Sequence, residues 1–109
     1  MKIQIITDCL DLLAGFQYLE PYEKKECFQQ IVDVLGSYPK PQKKTDLEAA
    51  TYSEVATYLF VSNVRNACKL SILEFISNST CIEIIQVNCE CALSVLTDNI
   101  EVKEPKIIQ

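Results

Sequence analysis

Apolar residues recur along this chain at intervals of three and four, the spacing of one face of an α-helix, with short polar breaks between the runs. Leu10, Leu13, Phe16 and Leu19 form the first stripe. They predict a helix from an N-cap at Thr7 or Asp8 to about Leu19. The six residues before it read as a short strand or an extended arm. Gly15, inside the stripe, marks either a close contact with a neighbour or an early end to the helix. Pro21 suits the first turn of a second helix, where its missing N–H costs nothing. Phe28, Ile31, Val32 and Leu35 follow at helical spacing, and Gly36 suits a left-handed residue just past the helix end. Residues 7–36 are therefore expected to form an antiparallel hairpin.

Residues 37–44, Ser-Tyr-Pro-Lys-Pro-Gln-Lys-Lys, break the pattern and read as an exposed linker. Thr45-Asp46-Leu47-Glu48 has the form of a capping box, opening a helical stretch to about Ile76. A helix that long predicts a kink or break near Ser62-Asn63, with Val55, Leu59, Ala67, Leu70, Leu73 and Ile76 facing inward. Ser77-Asn78-Ser79 reads as a turn and Thr80-Cys81-Ile82-Glu83 as a second capping box. The helix after it would bury Ile82, Ile85, Cys89, Ala92, Leu93 and Leu96 and fade near Asp98-Asn99. Residues 99–109 carry Ile100, Val102, Ile107 and Ile108 among charges, a loose tail or a docked arm. The pattern predicts one all-α domain over residues 1–109, with four or five antiparallel helices in a layered bundle.

One stretch adds a family likeness. Leu70-Ser71-Ile72-Leu73-Glu74-Phe75-Ile76, a short polar turn, and Ile85-Gln86-Val87-Asn88-Cys89-Glu90-Cys91-Ala92-Leu93-Ser94-Val95-Leu96 resemble one unit of a HEAT or armadillo-type helical repeat. Val64-Arg65-Asn66-Ala67-Cys68 resembles the start of the second helix's pattern. The look-alike segments begin at Val64 and Ile85, closer than the roughly 40-residue period of such repeats, so they are successive helices. The resemblance implies antiparallel helices packed in layers and HEAT-like hairpins.

Composition narrows the chemistry. The 109 residues, 49% hydrophobic and 23% charged, suit a single folded domain. Histidine is absent, which excludes any triad, zinc site or general base that needs an imidazole. With two glycines there is no phosphate-cradling loop. Ten basic against fifteen acidic residues give a net charge of −5, a poor match to a nucleic-acid backbone. The start of the chain lacks the form of a signal peptide, and no run approaches about 18 unbroken apolar residues. The expectation is an intracellular, cytoplasmic chain without membrane contact.

Six cysteines (Cys9, Cys27, Cys68, Cys81, Cys89, Cys91) read as free thiols used as small core hydrophobes. No C-x2-C pair is present, and Cys89 and Cys91, two apart on a helix, point to different faces, so no metal or cofactor is expected. Cys81, near a helix N-terminus, is the best thiol nucleophile. The acid pairs Glu23/Glu26 and Asp8/Asp11 sit near helix starts, where the macrodipole favours them without any catalytic role.

The leading expectation is a non-enzymatic protein-interaction module (an adaptor, inhibitor or assembly subunit) gripping another protein or a second copy of itself through an apolar helix face. Tyr52 and Phe60, two turns apart on the long helix, are its expected anchors, with Tyr22, Tyr38, Lys40, Lys43 and Lys44 as further contacts. Two alternatives stand beside it: thiol chemistry at Cys81 or at a cysteine pair formed by folding, and nucleic-acid contact through the lysines of residues 40–44.

Overall fold

In the computed structural model, which describes residues 3–38 and 51–98, the chain is an all-α bundle. Its helices are α1 (Ile3–Leu13), α2 (Pro21–Gly36), α3 (Tyr52–Ile72) and α4 (Asn78–Asp98), with a 3-10 turn at Phe16–Tyr18; no strand occurs among the described residues. The helices close a ring in which α1 and α3 each pack against both α2 and α4. Cross-links fix their directions. Lys25 pairs with Glu74 while Gly36 meets Arg65, so α2 and α3 run antiparallel. Ser71 bonds Asn78 while Asn63 bonds Asn88, so α3 and α4 do too.

The first helix begins earlier than its stripe predicts, at Ile3 instead of Thr7 or Asp8. The inward line is Ile5, Ile6 and Cys9, all fully buried, so the first residues gain a helical core face that an extended arm would not give them. Leu10, counted as inward on the sequence, is instead exposed. Gly15 ends the helical run. Its φ of +78° is left-handed, which glycine adopts freely, and it launches the 3-10 turn. That turn drives Phe16 into the core, 4.9 Å from the Phe28 ring between centroids, with the Lys24 ammonium 5.5 Å over its face. The Cys27 thiol donates to the Leu12 carbonyl at 3.0 Å, satisfying one of the unpaired carbonyls at the end of α1.

Pro21 opens α2 as expected, and Cys27, Phe28, Ile31, Val32 and Leu35 are buried. Its cap is an acidic one, with the Glu20 N–H donating to the Glu23 carboxylate at 2.8 Å. Gly36 is not a left-handed terminator. It lies inside the last turn, and a Cβ there would stand 3.2 Å from Nη2 of Arg65, so the glycine makes room for that guanidinium. Of the expected linker, Ser37 and Tyr38 are described, and Tyr38 is half-buried against the core instead of exposed. Lys40, Lys43, Lys44 and the Thr45–Glu48 capping box lie outside the described residues, as does the expected tail over 99–109.

The capping box that starts α3 is Thr51 with Glu54: the Glu54 N–H donates to Thr51 Oγ1 at 3.1 Å and the Thr51 N–H to Glu54 Oε1 at 2.9 Å. Thr51 is extended, so no helix from Thr45 runs through it, and α3 is then 21 residues long. At that length it needs no interruption, and it is continuous through Ser62 and Asn63, where a break was expected. It ends at Ile72, not Ile76, in a Schellman turn. The Phe75 N–H donates to Leu70 O at 2.8 Å and the Glu74 N–H to Ser71 O at 2.9 Å, with Glu74 in the left-handed region at φ 66°. The turn is therefore residues 73–77, and Asn78 already belongs to α4. Ser77 is the cap, accepting from the Thr80 N–H at 3.1 Å, so the second capping box expected at Thr80–Glu83 is not formed.

The inward face of α3 is Phe60, Val61, Val64, Ala67, Cys68 and Ser71, rotated from the expected one, and Leu59 and Leu73 are exposed. In α4 the buried line is Cys81, Ile85, Cys89 and Ala92, with Ile82, Leu93 and Leu96 packed at its margin. Small residues on this seam let the two longest helices approach closely.

Two consequences are measurable. Adjacent residues of α3 should respond oppositely: Phe60→Ala should cost about 3–5 kcal/mol in urea unfolding, and Leu59→Ala less than about 1 kcal/mol. Glu74→Gly should raise the melting temperature by a few degrees by relieving the left-handed backbone, whereas Glu74→Ala should lower it.

Candidate functional site

The apolar surface of this bundle follows from helix lengths. At 1.5 Å per residue, α1 spans about 16 Å and α3 and α4 about 32 Å each. The end of α2 meets α3 at Arg65. None of the described side chains of α3 before Phe60 is fully buried, and none of those of α4 after Ala92 is either. Val55, Ala56, Val95 and Leu96 are half-buried there, and Leu59 is 49% exposed.

Between the two helices at this end lies a groove of about 250 Å³ whose lining is mainly apolar: Ala56, Leu59 and Phe60 from α3, and Cys91, Ala92 and Val95 from α4. Its one polar crossing is satisfied internally. Asn63 Nδ2 donates to Asn88 Oδ1 at 3.0 Å, and Asn88 Nδ2 to the Ile84 carbonyl at 2.8 Å. Val87 adds exposed apolar surface on α4. By length and composition α4 is apolar enough to cross a membrane, with a mean hydropathy of 1.2 over Asn78–Leu96, although no unbroken apolar run shows this; only 22% of that window is buried in the bundle.

The anchors expected from the sequence separate. Phe60 is 1% exposed and belongs to the core, because the inward face of α3 is rotated toward it; it is unavailable as an exposed anchor, its ring forming the floor of the groove. Tyr52 stands at the open end of α3, 50% exposed. Tyr22 is 65% exposed but lies in the first turn of α2, at the other end of the bundle beside the Lys25–Glu74 pair. Tyr38 packs on the core. Leu59, Cys91 and Val95 are the more accessible apolar side chains lining the groove. The sequence signal for them was an apolar arc on α3 and α4 too wide for one buried stripe.

All six cysteines are free thiols, and Cys91 alone is exposed. The other five sit in one core, contributed by all four helices. Burial pushes Cys9 up to about 12 and Cys89 up to about 11, and raises Cys27. Cys68 rises well above the ordinary thiol range, from its interaction with Cys81 and from burial. Cys81 moves down, because the Cys68 thiol and the Ser71 hydroxyl both stabilise its thiolate. Cys81 is nonetheless fully buried, as the fourth residue of α4, and touches no groove described above. Among the described residues no group of three or more cysteine, aspartate or glutamate side chains is placed to hold a metal ion.

No family model, no curated protein and no solved structure matches the chain.

The thiols give a direct test of this arrangement. A disulfide reagent at neutral pH should modify Cys91 rapidly in the native chain and the buried five only on unfolding. The raised thiols also set an alkaline limit. Their protonated form is favoured in the folded state, so the stability they contribute is complete below the ordinary thiol value of 9.0 and is lost as pH rises from there through about 11 and 12. Urea midpoints should fall over that interval, and less steeply in Cys9→Ala than in the parent chain.

Proposed function

We propose that this chain is a non-enzymatic protein-interaction module whose binding surface is the apolar groove at the open end of α3 and α4. The observation that carries this reading is the mainly apolar lining of the α3–α4 groove, with Leu59 and Cys91 exposed along it and Val87 exposed on α4. Monomeric proteins seldom leave large contiguous apolar surface in water, and grooves between helices suit an apolar helix face from a partner. The groove brings Leu59 and Val95 to the surface above a fixed floor formed by Phe60 and Ala92. Such an arrangement places exposed apolar groups on rigid helices, which keeps the ordering cost of binding low. A second copy of the chain using the same groove is a close variant.

Thiol chemistry is the second reading, favoured by one observation, the lowered Cys81 beside Cys68 and Ser71. Burial works against it, since an oxidant or substrate has to reach a side chain with no exposed surface. A second rapidly modified thiol, assigned to Cys81, would favour it over the interaction module.

The deciding experiment is a charge placed in the groove. Leu59→Glu should abolish the complex, measured by sedimentation for a homodimer or by cross-linking and capture for a different partner. The melting curve should shift by no more than about 1 kcal/mol of stability, because Leu59 is half-exposed. A complex that survives Leu59→Glu unchanged would refute the assignment.

A further inference from the structure

The exposed strip of α3 has a second flank. On the side where Arg65 meets the end of α2 lies a hollow of about 210 Å³ lined by Tyr58, Val61, Ser62, Arg65, Asn66 and Lys69. These positions follow the three-and-four spacing of one helix face, so a single helix presents two cations, a phenol, a hydroxyl and an amide together. The ion pair present among the described residues joins Lys25 to Glu74, which leaves Arg65 and Lys69 without a carboxylate there. Nε of Arg65 is shut away from solvent and has no hydrogen-bond partner among the described residues. Packing, not pairing, therefore holds the guanidinium, with Gly36 supplying the space against which it lies. Gly36 has no left-handed backbone to account for it, so this close approach is its evident structural use.

A guanidinium held by packing and not neutralised by any described carboxylate, one turn from the exposed Lys69 ammonium, is complementary to carboxylates. The rest of the chain accentuates the contrast, since its net charge is −5. Two cations are too few to follow a nucleic-acid backbone, whose binding rests on many phosphate contacts. The hollow shares the exposed strip of α3 with the apolar groove: Leu59 opens toward α4, and Ser62, Asn66 and Lys69 continue along the helix.

Resting on the interaction reading above, we propose that the partner is an acidic amphipathic segment, its apolar side chains in the α3–α4 groove and its carboxylates against Arg65 and Lys69. Orientation then has a physical basis. The apolar groove supplies most of the attraction, and the cations set which way the segment lies and which segments are rejected.

The test uses the full-length chain and two synthetic helical peptides of equal length and identical leucine pattern, one with glutamate and one with lysine at every polar position. Binding is followed by fluorescence anisotropy near physiological salt. The glutamate peptide should bind about tenfold more tightly than the lysine peptide. Lys69→Gln should weaken the glutamate peptide roughly threefold to tenfold and leave the lysine peptide unchanged or tighter. Arg65→Gln should act in the same direction, with its melting curve checked because its side chain is partly buried. Leu59→Ser should weaken both peptides. Equal affinity for the two peptides, or indifference to Lys69→Gln while Leu59→Ser still weakens binding, would overturn the acidic-partner assignment and leave the groove standing. Sensitivity to Lys69→Gln without sensitivity to Leu59→Ser would remove the groove instead. Competition by inorganic phosphate at the same concentration as the peptide would mark a site for free anions, and a homodimer broken by Lys69→Gln would give the hollow to a second copy; either result also overturns the proposal.

Discussion

An eleven-residue helix cannot sheathe two helices of twenty-one residues, and this inequality of length organises the molecule. Where α1 and α2 lie alongside α3 and α4, the side chains close into a continuous core from Ile5 to Ala92. Where they stop, the same two helices continue with apolar sequence and no full burial among the described residues. The hydrophobic effect closes the first part, while in the second the described residues keep Leu59 and Cys91 at the surface.

The core is made from few large groups and many small ones. Phe28 and Phe60 are its largest fully buried side chains, and five cysteines and two alanines fill the seams between helices. Thiols serve here as compact apolar volume. Cys27 does more, closing the end of α1 with a hydrogen bond to Leu12. Burial suppresses ionisation at Cys9 and Cys89, so these groups remain neutral through the physiological range. The local shifts at Cys68 and Cys81 arise from the same crowding: two thiols and the Ser71 hydroxyl share one small polar island between α3 and α4.

How much of this was legible before folding depends on the element. The face of α2 was readable in full, because Phe28, Ile31, Val32 and Leu35 form one narrow stripe between charged flanks. The faces of α1 and α3 were not. Each carries apolar residues over a wide arc, and periodicity alone cannot say which part of a wide arc turns inward; neighbours decide. The inward choice at Phe60 over Leu59 reversed the expected anchor for that reason. Two capping signals fitted the same stretch: Thr45 and Thr51 are both followed three residues later by glutamate, and α3 starts at the second. Gly36 resembled a helix terminator, and only the approach of Arg65 from another helix reveals why the position lacks a side chain. The hollow beside Arg65 was equally hidden, since no sequence pattern announces that a cation will be held by packing after folding.

Cys91 stands at the rim of the apolar groove while its five counterparts are sealed inside. The native polypeptide thus comes with a chemical handle already in the right place. A fluorophore or spin label attached there would report occupancy of the groove without engineering the sequence. The same exposed sulfur makes that end of the molecule the part first altered by oxidants, so handling in air would change the groove's rim before it disturbed the interior.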